Sequence, residues 1–386
     1  VRACWADAMI GSQRHLFSIP REVHYLSCAY MAPLSQAVSA AMVEGARLKE
    51  QPWDFRPPDF FRVVEDFRSK AAGLAGVDAD CIAVVPSVSY AISVAANNLS
   101  LGPGRKVVTL GDQFPSNVYP WQEKAKREGG EVIAVQRPSQ DCWTGAVLDA
   151  IGEDTAIVAV PNCHWADGRV VDLVRVGERC REVGAALVLD LTQSLGAMPL
   201  DFPAVKPDFA VAACYKWLMG PYGIGMLYVD PKHHGGEPIE HNWINRAGSE
   251  DFARLVDYRE DFQPGARRFD MGEKSNAPLL MGAGAALDFL TGHGVDAIAE
   301  TLAAKTQAIA DEAATLGLGA APLGTRAAHF LGLEFPGGLP AGLPEKLAEA
   351  QVFVSARGQS LRVTPHLYND EADSAALLDT LRQVLA

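Results

Sequence analysis

The chain is predicted to be an α/β protein: a mostly parallel sheet of seven strands with helices on both faces, followed by a smaller α+β unit. Three observations predict this. From residue 81 to about 230, short apolar, β-branched runs alternate with longer amphipathic stretches, which is the βαβ rhythm. The runs are apolar throughout rather than at every second position, as strands buried on both faces are. The 386 residues, 48% hydrophobic and 21% charged, exceed what one small core needs and match ordinary globular usage.

The runs are CIAVV (81–85), KVVTL (106–110), EVIAV (131–135), AIVAV (156–160), ALVLD (186–190), FAVAAC (209–214) and GMLYV (225–229). Most gaps between them hold a crossover helix. In DLVRVGERCREVG (172–184), for example, Leu173, Val176, Cys180 and Val183 share one face. The last two runs are too close for a crossover and are predicted to be antiparallel neighbours. Residues 1–50, with the helix-like SQAVSAAMVEGARLKEQ, are expected to pack on the body; 51–274 to form the large domain; and 275–386 to form the small one. The small domain is read as helices at 277–291 and about 295–316, strands HFLGLEF (329–335), VFVSAR (352–357) and LRVTP (361–365), and a last helix, EADSAALLDTLRQVLA.

Lys plus Arg total 34 against 47 Asp plus Glu, a net charge of −13. No basic run tracks a phosphate backbone, so neither nucleic acid nor an anionic membrane is an expected partner. The longest apolar stretches, AIVAV (156–160) and AALVL (185–189), fall far short of the ~20 residues of a spanning helix. VRACWADAMIGSQRHL lacks the pattern of a signal peptide, so a cytoplasmic location is expected. The seven cysteines (4, 28, 81, 142, 163, 180 and 214) are odd in number and form no C-x-x-C pair, and so read as reduced thiols. PKHHGGEPIEH gathers His233, His234, Glu237, Glu240 and His241, but its glycines and prolines make it a loop, and no metal site is expected.

Ligands of an open parallel sheet bind at the carboxyl ends of its strands. Those ends carry Ser87-Val88-Ser89, Gln113-Phe114-Pro115-Ser116-Asn117, Asn162-Cys163-His164, Asp190-Leu191-Thr192-Gln193 and Tyr215-Lys216. One amine, one acid, one aromatic ring and several small donors at one edge are what pyridoxal phosphate requires. A covalent link to its aldehyde needs a lysine able to lose its proton, and Lys216 ends a buried run. A protonated pyridine nitrogen needs a facing carboxylate, which Asp190 supplies. Phe114 offers a face for the ring, and Ser87 and Ser89 open a helix-like segment suited to the phosphate. Taken singly, Asp190 and Ser87 read equally well as helix caps; the prediction rests on their occurring together. GPYGIG is no dinucleotide fingerprint, since a strand follows it, and LGPGRK lacks the Gly-Lys-Ser/Thr of a Walker loop.

From about residue 24 onward the chain resembles the class V aminotransferase superfamily of fold type I pyridoxal phosphate enzymes, which includes kynureninases, cysteine desulfurases and isopenicillin N epimerase-like proteins. QFPSNVYPW (113–121), HWADGRVVDL (164–173), VLDLTQSLGAMPLD (188–201), ACYKWLMGPYGIGMLYV (213–229) and LRVTPHLYND (361–370) carry the likeness. The resemblance implies Lys216 as the cofactor lysine, Asp190 at the pyridine nitrogen, Gln193 near the ring hydroxyl and Phe114 on the ring. It places Tyr215, with Ser87, Val88 and Ser89, near the phosphate, and Arg362 on the substrate carboxylate. It further implies a homodimer with active sites at the subunit interface. Trp243, Ser275 and Asn276 match kynureninase positions that reach the site across that interface, and Arg357 and His164 are further substrate-binding candidates. The segment ARGQSLR (356–362) has no cysteine, against desulfurase chemistry, and Gln193 stands where kynureninases have histidine. The implied activity is transamination of an amino acid. A kynureninase-like hydrolase or a C–S or β-lyase is the alternative within the family, and a non-catalytic sensor or interaction protein the alternative outside it.

Overall fold

The computed structural model describes residues 9–138 and 143–385, so Cys4 and Cys142 lie outside the described residues. The seven runs become strands β1 (Ile82–Val85), β2 (Lys106–Leu110), β3 (Glu131–Val135), β4 (Thr155–Pro161), β5 (Ala186–Asp190), β6 (Phe209–Ala213) and β7 (Gly225–Val229). They form one sheet in the order β1-β7-β6-β5-β4-β2-β3. The pairs from β6 across to β3 are parallel, while β7 runs antiparallel to both β6 and β1. Two reversals leave β1 pointing the same way as β6, so the carboxyl ends of β1, β5 and β6 share one edge. The register sharpens this: Val85, Gly225 and Ala213 stand side by side. Successive residues serve opposite faces, with Ile82 and Val84 in one core and Ala83 and Val85 in the other. Each such valine contributes about 1.5–3 kcal/mol by burial.

Helix α1 (Gln36–Arg47) is capped by Ser35, whose side chain accepts from the Val38 amide. It packs on α4 (Ala277–His293), as does α2 (Asp59–Ala75). α3 (Val88–Asn98) leaves the carboxyl end of β1 and is capped by Ser87. α4 buries Leu280, Ala283, Leu287 and Leu290 in the core beneath the central sheet, whereas the separate C-terminal core gathers Ile309, Leu331, Leu333, Leu361, Val363, Leu377 and Leu381. No described helix is long and apolar enough to cross a membrane.

The C-terminal strands differ from the reading in two places. HFLGLEF yields a strand only at Leu331–Glu334, because His329 turns back to donate toward the Gln193 carbonyl at 2.7 Å. VFVSAR is two strands. Val352–Phe353 pairs in parallel with His24–Tyr25, and Ser355–Arg357 forms a hairpin with Ser360–Val363. That hairpin joins Leu331–Glu334 and Gly319–Ala320 in an antiparallel sheet. The turn between its strands is Gly358-Gln359 alone, with Gly358 at φ 56°, the left-handed conformation that favours glycine.

Candidate cofactor site

At the shared sheet edge lies a cavity of about 220 Å³, walled by residues that follow β1, β2, β4, β5 and β6. Lys216 projects into it from the turn after β6. That turn is closed by the Gly220 amide on the Cys214 carbonyl at 2.8 Å and by Met219 at φ 56°. Gly225 is needed opposite: a Cβ there would sit 2.6 Å from the Ala212 carbonyl oxygen. The Lys216 Nζ lies 5.3 Å from the ring centroids of both Phe114 and Tyr215. Asp190, at the end of β5, accepts from the Thr192 amide at 3.1 Å. Ser87, Val88 and Ser89 form the wall at the start of α3, with the Ser87 and Ser89 hydroxyls 3.0 Å apart. Ser87 spends its cap on the Tyr90 amide, leaving the first two amides of α3 for an anion.

Burial lowers the Lys216 pKa from its ordinary 10.5 to about 8; Asp190 opposes that fall, and Arg362 and Arg357 add to it. Burial likewise raises the Asp190 carboxyl, against hydrogen bonds from Thr192 and the charge of Lys216. Tyr215 is pushed up to about 12 by burial and stays a phenol. The edge therefore offers a lysine that sheds its proton near neutrality and a buried carboxylate able to pair with a protonated ring nitrogen. Gln113 adds an independent sign of a ligand. Its Nε2 is buried in the cavity wall without a partner, while its Oε1 takes the Phe114 amide at 2.7 Å. The donor set fits pyridoxal 5'-phosphate.

The other expected residues are placed differently. Gln193 lines the cavity, but its amide oxygen takes the Trp217 indole N–H at 2.9 Å and its amide nitrogen donates to Ala29 at 3.1 Å. His164 does not line the cavity. Its ring stacks on Trp143 at 5.2 Å, its Nε2 lies 3.2 Å from the Gly111 carbonyl, and burial lowers its pKa to about 4, so it is a neutral structural histidine. Trp243, Ser275 and Asn276 also lie outside the cavity of their own chain. Ser275 donates to the Phe60 carbonyl at 2.6 Å, Trp243 packs 6.3 Å from the Phe60 ring, and Asn276 caps α4. Arg362 is buried just beyond the wall, donating to Ser355 Oγ at 3.1 Å and to the Trp165 carbonyl at 2.8 Å. Arg357 lies half-buried with its guanidinium 5.9 Å from the Trp165 ring centroid. Trp165 and Tyr222 were missed by the reading of the strand ends and line the cavity, as does Gln113, which that reading placed at the edge without giving it a role. The Trp165 ring meets Phe114 edge-on at 5.6 Å, and its indole N–H donates to Asp112 at 2.7 Å. Its signal in sequence was its position one residue past His164, inside a stretch already read as cavity edge.

Sheet order, edge chemistry and the pairing of amine with acid define a fold type I pyridoxal phosphate enzyme. The family model for "Aminotransferase class-V" matches residues 57–369, and the chain belongs to that family of pyridoxal 5'-phosphate-dependent enzymes. A probable cysteine desulfurase of Methanothermobacter thermautotrophicus is 30% identical over 61% of this chain and 57% of its own length. An uncharacterized aminotransferase of Bacillus subtilis is 28% identical over 81% of this chain and 82% of that one. Isopenicillin N epimerase of Amycolatopsis lactamdurans is 25% identical over 100% of this chain and 99% of that one. Among solved structures, a mutant of C-DES with glycine covalently linked to its PLP cofactor superposes with a TM-score of 0.86 at 19% identity, covering 96% of this chain and 98% of the other. The fold is theirs.

Proposed function

We propose that this protein is an aminotransferase: it takes the amino group from an amino acid and delivers it to a keto acid. The observation that carries the proposal is the pairing, in one cavity, of Lys216, with its pKa near 8, and the buried Asp190. Bound pyridoxal phosphate supplies an aldehyde and an electron-withdrawing ring. In this reading Lys216 Nζ would hold the cofactor and, once displaced by the substrate amine, would take the proton from the substrate Cα. Asp190 keeps the ring nitrogen protonated. Phe114 and Tyr215 flank the amine, and the Ser87–Ser89 turn takes the phosphate. Arg362, which has no carboxylate within 4.0 Å among the described residues, binds the substrate carboxylate. The similarity to an aminotransferase along most of both chains supports the choice.

The proposal includes a homodimer. Trp243, Phe60, Phe252 and Ser275 form one cluster, with Trp243 41% exposed and Val256 and Tyr258 still more so, an apolar surface of the kind a second copy covers. It also includes a cytoplasmic location, supported by five buried free thiols. The proposed organisation is an N-terminal segment, 1–50, on a large cofactor-binding domain, 51–274, with a smaller domain, 275–386, whose first helix, α4, packs its buried face in the core of the large one.

The test is an absorbance spectrum of the purified protein with pyridoxal phosphate, repeated with an amino-acid panel and products identified by mass spectrometry with and without a keto-acid acceptor. Transamination predicts repeated turnover only with the acceptor and no more than one equivalent of keto acid per site, without ammonia, in its absence. Keto acid and ammonia released without it identify a lyase, and a band that no amino acid alters identifies a non-enzyme. Lys216→Ala is expected to abolish the covalent band, and an unchanged band in that variant refutes the assignment.

A further inference from the structure

Three cations, Lys216, Arg357 and Arg362, act on one another at the edge of the cavity, against Asp190 as the carboxylate that lines it. In the reading above, on which this inference rests, Asp190 is matched by the ring nitrogen and Lys216 serves as a neutral amine. Two guanidiniums remain, and an ordinary amino acid brings one carboxylate. Among the described residues neither arginine has a carboxylate within 4.0 Å. Arg362 bonds only to Ser355 and the Trp165 carbonyl, and Arg357 only to the carbonyl of Ala356.

The hairpin register fixes their relation. Ser355 stands opposite Arg362 and Arg357 opposite Ser360. Since alternate residues of a strand share a face, both arginines rise from the same face as diagonal neighbours, about 7–8 Å apart at the backbone. Both heads then converge on Trp165, one at its carbonyl and the other over its ring. The Trp165 ring is itself cavity wall, anchored by its indole bond to Asp112. Two unpaired guanidiniums held on one wall residue make a site for two acid groups rather than one. An arginine over a ring gains only about 0.5–1 kcal/mol at an exposed site, too little to account for leaving its five donors one protein partner. We propose that Arg357 is a second acid subsite and that the substrate is an amino acid with a carboxylate on its side chain.

The experiment titrates the cofactor-loaded protein with L-aspartate, L-glutamate and L-2-aminoadipate, and with L-asparagine and L-glutamine as uncharged isosteres. Binding is read from the absorbance change and, independently of any reaction, by calorimetry with succinate against butyrate. At least one acidic amino acid is expected to bind about tenfold tighter than its amide, the size of one charge-assisted pair. Succinate is expected to bind more tightly than butyrate. Arg357→Gln should erase both preferences, and Arg357→Lys should restore part of them. The cofactor band of each variant reports its folding. Equal affinity for acid and amide in the unaltered protein overturns the proposal, as does a preference that survives Arg357→Gln. A band that responds to acid and amide alike overturns this inference alone, whereas failure to form any band overturns the cofactor reading and this inference with it.

Discussion

Lys216 makes the cofactor-free protein less stable, and the amount follows from its burial. Its pKa is about 8 in the folded chain against an ordinary 10.5, chiefly through loss of solvation. At about 1.4 kcal/mol per pH unit, the gap corresponds to about 3 kcal/mol. Below pH 8 the ammonium is charged in both states and the folded state bears the whole cost. As pH rises from about 8 to 10.5, the folded chain releases the proton while the unfolded chain keeps it, so the cost fades. Lys216→Met, which keeps the apolar stem and removes the amine, is therefore expected to stabilise the cofactor-free protein by about 3 kcal/mol at pH 7 and by about 1 kcal/mol at pH 10. Urea unfolding of both proteins at the two pH values measures this. A variant less stable than the parent at pH 7, or one with the same advantage at both pH values, would refute the claim that burial of this amine sets its reactivity.

Two further outcomes follow from local geometry. Ser87→Ala removes the cap on the Tyr90 amide and a hydroxyl at the start of α3. It should cost about 1 kcal/mol of stability and weaken cofactor binding about tenfold by spectral titration; undiminished affinity would remove Ser87 from the phosphate site. His366 and His329 are buried beside Trp217, and burial holds their rings at about 3 and about 4, below the ordinary 6.5. The unfolded chain takes up protons first as pH falls below 6.5, so stability should decline from pH 6.5 toward pH 4. His366→Phe should flatten the urea midpoint across that range, and an equally steep decline in the variant would contradict the assignment.

Much of the fold was legible because strands buried on both faces leave continuous apolar runs. KVVTL, EVIAV, ALVLD and GMLYV coincide with β2, β3, β5 and β7 residue for residue. α2 was not read, since Arg68 interrupts its buried face. The guanidinium sits there unexposed because Asp270, some two hundred positions away in the chain, pairs with it at 2.8 Å, beside Glu65 of the same helix at 3.0 Å. The split of VFVSAR at Val354 was equally hidden. The apolar run continues while the pairing partner changes from the N-terminal strand to the hairpin. At the site, the strand-end rule brought Lys216, Asp190, Phe114 and Ser87 together, because topology alone fixes that edge. It placed His164 and Gln193 by the same rule and did not anticipate their commitments to Gly111, Trp217 and Ala29, all contacts between distant residues.

Among the described residues no thiol is placed to carry a persulfide, and the reason is geometric. An enzyme that carries substrate sulfur as a persulfide on its own cysteine needs a thiolate that can reach the substrate. The hairpin at Ser355–Val363 closes through two residues, too short a turn to extend a nucleophile into the cavity. Among the described residues the cysteine in the cavity wall is Cys163, whose Sγ donates to the Gln193 carbonyl at 3.3 Å and whose thiol is pushed up to about 12 by burial and by the charge of Asp190. It remains a protonated thiol near neutrality. Cys214 is likewise held at about 12, and burial raises Cys28 beneath Lys216 further. Among the described residues, then, the nucleophile in the cavity is the Lys216 amine, and bond making at this edge falls to nitrogen. The same burial that depresses the amine by desolvating its cation elevates the thiols by desolvating their anions, so one apolar environment activates the first and silences the second.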